Sequence, residues 1–134
     1  MMLSIQDVLK LSQKPAKHSA QFMLNGEARE FEFFTKEMKV ADTISFREFY
    51  QQLEAKQPPA ENLIKAAKFI EMMVVDEKGH PLFDGIENII GATLDDDFNL
   101  IKDESLTSLP DSVFTAIIGV LNKENDLKDQ EGKG

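Results

Sequence analysis

The chain has no cysteine, no tryptophan, and two histidines, His18 and His80. Without thiols there is no disulfide, no cysteine zinc site and no thiol nucleophile. Cations are also scarce, with 15 Lys and Arg against 24 Asp and Glu and a net charge of −9. That balance argues against nucleic acid as the main partner, because backbone phosphates are bound by clustered cations. No apolar run approaches the roughly 18 residues that a spanning helix needs, so no membrane is expected. The sequence opens Met1-Met2-Leu3-Ser4-Ile5 and reaches Asp7 at once, without the basic and then apolar stretch of a secretory signal. A cytoplasmic protein is the expectation.

What is present suits one domain. The 134 residues are 42% hydrophobic and 29% charged, enough to bury a core without staples. The charge is uneven. Residues 1–68 hold ten Lys and Arg and nine Asp and Glu, whereas residues 69–134 hold five and 15. The acidity therefore belongs to the second half.

Residues 4–13 read as a first helix, with Ser4 as cap, Asp7 near the N-terminus, and Ile5, Val8, Leu9 and Ser12 at helical spacing up to Pro15. Residues 18–36 read as a β-hairpin. Asn25-Gly26 is the preferred pair for a type I′ turn, whose two central residues need positive φ. A two-residue turn there sets Leu24 opposite Glu27, Phe22 opposite Arg29, Ala20 opposite Phe31 and His18 opposite Phe33. Leu24, Phe22, Ala20, Phe31 and Phe33 then share one face, and Gln21, Ser19, Glu30 and Glu32 the other. A bare hairpin is marginal, so helices or further strands must cover its apolar face.

A second helix is predicted over 45–55, capped by Ser45 with Glu48 and carrying Phe46, Phe49, Tyr50 and Leu53. After Pro58-Pro59 a third begins near Ala60 and runs to about residue 73, with a short strand over Met72–Val75 as the alternative for its end. Asp84 with Glu87 caps a brief helix containing Ile86, Ile89 and Ile90. Residues 91–109 read as irregular and acidic. A last helix runs from Pro110 to about Lys123, and the charged tail 124–134 is expected to be disordered. The fold class is a single α+β domain over 1–123, a hairpin packed against four or five helices.

Chemistry is sparse. Asp95, Asp97 and Asn99 occupy the first, third and fifth places of a calcium loop, but Leu100 stands where Gly is needed and Leu106 where Glu is needed. No metal or cofactor is expected. Neither His has a Ser or Asp partner at a suggestive spacing, and there is no phosphate-cradling loop, nucleophile elbow or dinucleotide fingerprint. The expectation is a protein that is not an enzyme; a hydrolase would need converging carboxylates or an ordered metal. The last helix stands out. Val113, Phe114, Ile117, Ile118, Val120 and Leu121 are six large apolar residues within nine positions. Such a stripe is either core or a docking face, and Val113, Phe114, Ile117, Ile118 and Leu121 are the candidate partner-binding residues.

Val74-Val75-Asp76-Glu77-Lys78-Gly79-His80-Pro81-Leu82-Phe83 resembles a pattern of the tail assembly chaperones of long, non-contractile-tailed phages. That pattern is an apolar helix closing on Val-Asp-x-x-Gly-x-Pro-Leu-Phe, then an acidic stretch and a Leu-Pro-led helix ending in Leu-Asn. Leu109-Pro110 and Leu121-Asn122 match its later parts, and Gly132-Lys133 fits the family's ending. The likeness covers roughly residues 60–123, departs at the acidic insert 91–105, and has no signature in the first 57 residues. Within the pattern, Asp76, Gly79, Pro81, Leu82 and Phe83 read as a turn, with Gly79 permitting it, Pro81 stiffening its exit, and Leu82 and Phe83 anchoring it. The resemblance implies a non-enzymatic phage or prophage (siphovirus-type) protein that coats the tape measure protein during tail tube assembly. It also implies self-association, a longer form made by programmed frameshift that recruits the tail tube protein, residence in the host cytoplasm, and absence from the mature virion. The alternative is a small acidic adaptor or inhibitor of a basic protein.

Overall fold

The computed structural model describes residues 2–11 and 14–132, with side chains described through Lys123. Helix α1 spans Ile5–Leu11. Its start is tied by a reciprocal pair, Ser4 N–H to the Asp7 carboxylate at 3.2 Å and Asp7 N–H to Ser4 Oγ at 3.1 Å. The last predicted residues of this helix, 12 and 13, lie outside the described residues.

Strands β1 (Ala16–Leu24) and β2 (Glu27–Thr35) form the hairpin in the predicted register, extended to Ala16 opposite Thr35. Asn25 and Gly26 adopt φ of 52° and 82°, as a type I′ turn demands. Phe22, Phe31 and Phe33 line up on the inner face, with ring centroids 5.6 and 5.7 Å apart in succession.

Helix α2 runs Val40–Lys56, five residues earlier than the predicted start at Ser45. The Lys39 N–H donates to Asp42 Oδ2 at 3.1 Å, so Asp42 rather than Glu48 reaches back to the cap, and Ser45 sits inside the helix. The helix ends on Gln57 in the left-handed region. Helix α3 (Glu61–Met73) passes without a loop into the two-residue strand β3, Val74–Val75. The helix ends at residue 73 as predicted, and the alternative strand over Met72–Val75 holds for its last two residues. β3 pairs antiparallel with β2 through Phe34–Val75 and Thr35–Val74, giving a sheet of order β1-β2-β3.

Helix α4 (Glu87–Ile90) is short, and its cap is Ile86 with no side-chain hydrogen bond, not the predicted Asp84. The region read as irregular holds a second hairpin, β4 (Ala92–Leu94) with β5 (Leu100–Lys102). Helix α5 (Asp111–Gly132) packs along β1. Its backbone continues past the predicted end at about Lys123, and the side chains of the tail 124–134, expected to be disordered, lie outside the described residues. The molecule is a single small α+β domain, with five helices and small antiparallel sheets among the described residues.

The core lies between the hairpin's inner face and α2, α3 and α5. Leu53, Ile64, Ala67 and Ile70 have no exposed surface, and Phe33, Val74, Ile89, Ile117 and Leu121 close around them. Fully burying each large side chain contributes roughly 1.5–3 kcal/mol.

Candidate functional site

The segment 74–83 is a closed loop whose geometry follows from one carboxylate. Asp76 Oδ1 accepts the backbone N–H of Lys78 at 2.8 Å and of His80 at 2.9 Å. The Asp76 N–H donates to the His80 carbonyl at 2.8 Å, and the Gly79 N–H to the Asp76 carbonyl at 3.0 Å. The two bonds to the carboxylate, that from the His80 N–H foremost, hold the Asp76 carboxyl below its ordinary pKa. Gly79 takes φ of 90°, and Pro15 packs beside it. Val75 and Pro81 then face each other in an antiparallel bridge. His80 Nδ1 lies 3.5 Å from Asp76 Oδ2. Sequence spacing suggests no acidic partner for His80, but the turn folds the chain back and supplies one. His18 Nε2 lies 2.8 Å from the hydroxyl of buried Thr35.

The two residues expected to anchor this segment divide. Phe83 packs against the core, whereas Leu82 is 55% exposed, so anchoring by Leu82 is corrected. Leu82, Phe83 and Met72 instead line a groove of about 570 Å³. Its polar lining is two ion pairs, Lys36 with Asp42 at 3.6 Å and Lys68 with Glu71 at 3.3 Å, and Asp84. Lys36 is shared with an adjoining groove of about 510 Å³ whose apolar lining is Leu9, Pro15 and Met38.

Helix α1 overlooks that second groove through Leu9. None of its residues is buried, and Ile5 is 76% exposed and Leu11 59%. The helical spacing of Ile5, Val8 and Leu9 is visible in the sequence, but nothing there shows that they stay outside the core. Val40 and Ile44, in the first turns of α2, are exposed as well.

The five α5 candidates separate by depth. Ile117 and Leu121 are core, 3% and 1% exposed, so neither can meet a partner in the folded chain. Val113, Phe114 and Ile118 are half-buried against the core. Phe114 lines a cleft with Leu63 and Ile89, and Ile118 lines another with Phe46, Tyr50 and Phe69. In the latter, Lys65 Nζ sits 5.0 Å from the Tyr50 ring centre. Burial raises the Tyr50 hydroxyl pKa, and the hydrogen bond to Glu54 raises that of Lys65.

Three of the 15 acids of the second half, Asp76, Asp95 and Asp103, hold turns. Asp95 Oδ1 accepts from the N–H groups of Asp97 and Asn99 at 2.8 and 2.9 Å, and Asp103 Oδ1 from Ser105 N–H at 3.0 Å and its hydroxyl at 2.6 Å. Both carboxyls are held below the ordinary range, Asp95 chiefly by the Asn99 N–H and Asp103 chiefly by the Ser105 hydroxyl. The Asp-x-Asp-x-Asn spacing thus organises the β4–β5 tip through hydrogen bonds. Asp97 turns outward to Lys56 at 3.1 Å. Among the described residues, no three His, Asp or Glu side chains converge as a metal site would require.

Compared with protein-family models, curated proteins and solved structures, the chain matches none of them.

Proposed function

We propose that the protein is a phage or prophage tail assembly chaperone that binds the tape measure protein without turnover and holds it soluble while the tail tube forms. The observation that carries this reading is the pair of adjoining grooves around Lys36, each lined by apolar and charged side chains together, with Leu82 and Leu9 of their linings largely in solvent. A long, partly apolar helical client suits that mixed lining: apolar side chains for contact area and charged ones for solubility. The proposed binding surface is therefore α1 and residues 81–83, with Val113, Phe114 and Ile118 contributing only their exposed fractions. Recruitment of the tail tube protein by a longer frameshifted form, residence in the host cytoplasm and absence from the virion belong to the same proposal.

The rival reading, an acidic inhibitor of a basic protein, needs a continuous face of carboxylates open to a partner. Asp76, Asp95 and Asp103 turn theirs to their own backbone or neighbouring side chains, and Asp97 pairs with Lys56. Those four, of the 15 acids in the second half, are engaged within the chain.

Co-expression with a tape measure fragment tests the proposal. The fragment is expected in the soluble fraction only when this protein is present. A fragment equally insoluble with and without it overturns the reading.

A further inference from the structure

One groove of this acidic chain carries the opposite charge. The groove that Leu9 overlooks is lined by Lys36, Lys39 and Lys78, with Glu37 as the one acid among the described residues of its lining. Its lining is thus a formal +2 in a chain of −9. Folding, and no run of basic residues, assembles it. Lys36 follows β2, its N–H on the Met73 carbonyl at 2.9 Å. Lys39 is the N-cap of α2, and Lys78 sits in the turn that Asp76 closes. Lys36 has Asp42 as its ion-pair partner, but Lys39 and Lys78 are exposed and form no ion pair among the described residues. Asp76, close to Lys78 in sequence, spends its Oδ1 on the N–H groups of Lys78 and His80. The positive end of the dipole of α2, a helix of 17 residues, lies at Lys39 and adds to the same charge.

The groove is also apolar. Leu9, Pro15 and Met38 line it, and Leu9 is 56% exposed. Val40, next to Lys39, is 79% exposed. A small anion would meet the lysines and leave these side chains in water. A nucleic acid strand would run on beyond the groove, over a chain with a surplus of acid. A short segment seated in the groove avoids most of that repulsion, because charges more than about 8 Å away are largely screened at physiological salt. Carboxylates for Lys39 and Lys78, and apolar side chains for Leu9 and Met38, describe one ligand: an amphipathic peptide segment whose polar side is acidic.

We propose that this groove takes an acidic amphipathic segment of the tape measure protein. The name of the partner rests on the function proposed above; the chemistry of the segment rests on the groove.

Fluorescence anisotropy tests the chemistry with a labelled peptide that repeats Leu and Glu so that one side of its helix is apolar and the other acidic. Wild-type protein is expected to bind it, more weakly as salt rises. Lys39→Glu/Lys78→Glu should weaken binding about tenfold or more with wild-type circular dichroism, whereas Lys39→Arg/Lys78→Arg should bind as wild type does. Leu9→Asn should weaken binding with both lysines in place. Equal affinity for a peptide with Gln at every Glu position overturns the proposal, as does undiminished binding by Lys39→Glu/Lys78→Glu. Single-stranded DNA bound as tightly through the same lysines overturns it in favour of nucleic acid. The two proposals can fail separately. A tape measure fragment left insoluble by the wild-type protein removes the chaperone reading, while the peptide titration still decides the groove. A fragment made equally soluble by wild type and Lys39→Glu/Lys78→Glu removes the groove and leaves the chaperone.

Discussion

Gly91 and Ser108 approach so closely that a methyl group on Gly91 would lie 2.9 Å from Ser108 Cβ. Gly91 closes α4 at φ of 70°, its N–H on the Glu87 carbonyl at 2.8 Å. Ser108 Oγ and the Leu109 N–H both donate to the Ile89 carbonyl, at 3.1 and 3.0 Å, binding the end of the acidic stretch to the core. Gly91→Ala therefore combines left-handed strain with a collision, and is expected to cost about 2–3 kcal/mol in a urea melt. Gly26→Ala meets open space. It should cost only about 1–2 kcal/mol, from backbone strain alone.

Acid should loosen the turns. Asp76, Asp95 and Asp103 all have folded pKa values below their ordinary ones. Their contribution is complete above the ordinary carboxylate pKa of about 4, and is lost as pH falls through the lower folded values. Thermal melts should hold steady from neutral pH to about 5 and decline below about 4. Asp76→Asn keeps an acceptor oxygen but does not titrate, so its decline at low pH should be shallower than that of the wild type. An identical acid limb would remove Asp76 from this account.

Burial along α5 sorts the apolar stripe. Ile117→Ala and Leu121→Ala open cavities in the core and are each expected to cost about 2–5 kcal/mol. Ile118→Asp sets a carboxylate beside Phe46, Tyr50 and Phe69, and should cost about 1–3 kcal/mol. An unchanged denaturation midpoint for Ile118→Asp would show that the cleft is open to water.

Leu82 gives the opposite result. Its side chain is largely in solvent, so Leu82→Asp should leave stability within about 0.5 kcal/mol of wild type. In the co-expression assay the same change should lower the yield of soluble tape measure fragment. A yield equal to wild type would move the docking surface away from residues 81–83.

The first hairpin is legible in the sequence because two independent signals agree. Asn25-Gly26 defines the turn, and both strands then sort their apolar residues onto one face. The second hairpin is not legible, since three residues per strand are too few to show a period of two, and its five-residue tip, Asp95–Asn99, reads as solvated charge. The Asp-x-Asp-x-Asn pattern at that tip is visible, but the same spacing serves a turn as readily as a cation. The start of α2 is hidden because Ser45-x-x-Glu48 has the residue types of a cap and Lys39-x-x-Asp42 does not, and only the Asp42 carboxylate's position decides between them. Segment 74–83 is legible as a turn. Which of its apolar residues are covered depends on α2 and α3, and no local pattern carries that information.

The bridge between Val75 and Pro81 has a consequence for assembly. It places a residue without an N–H donor beside the far strand of the sheet, where a further strand would have to add. One end of the sheet is thus stopped by proline, and at the other α5 lies along β1 with Ser112 Oγ on the Met23 carbonyl. Neither end offers the full row of free backbone groups that growth into a fibre by strand addition requires.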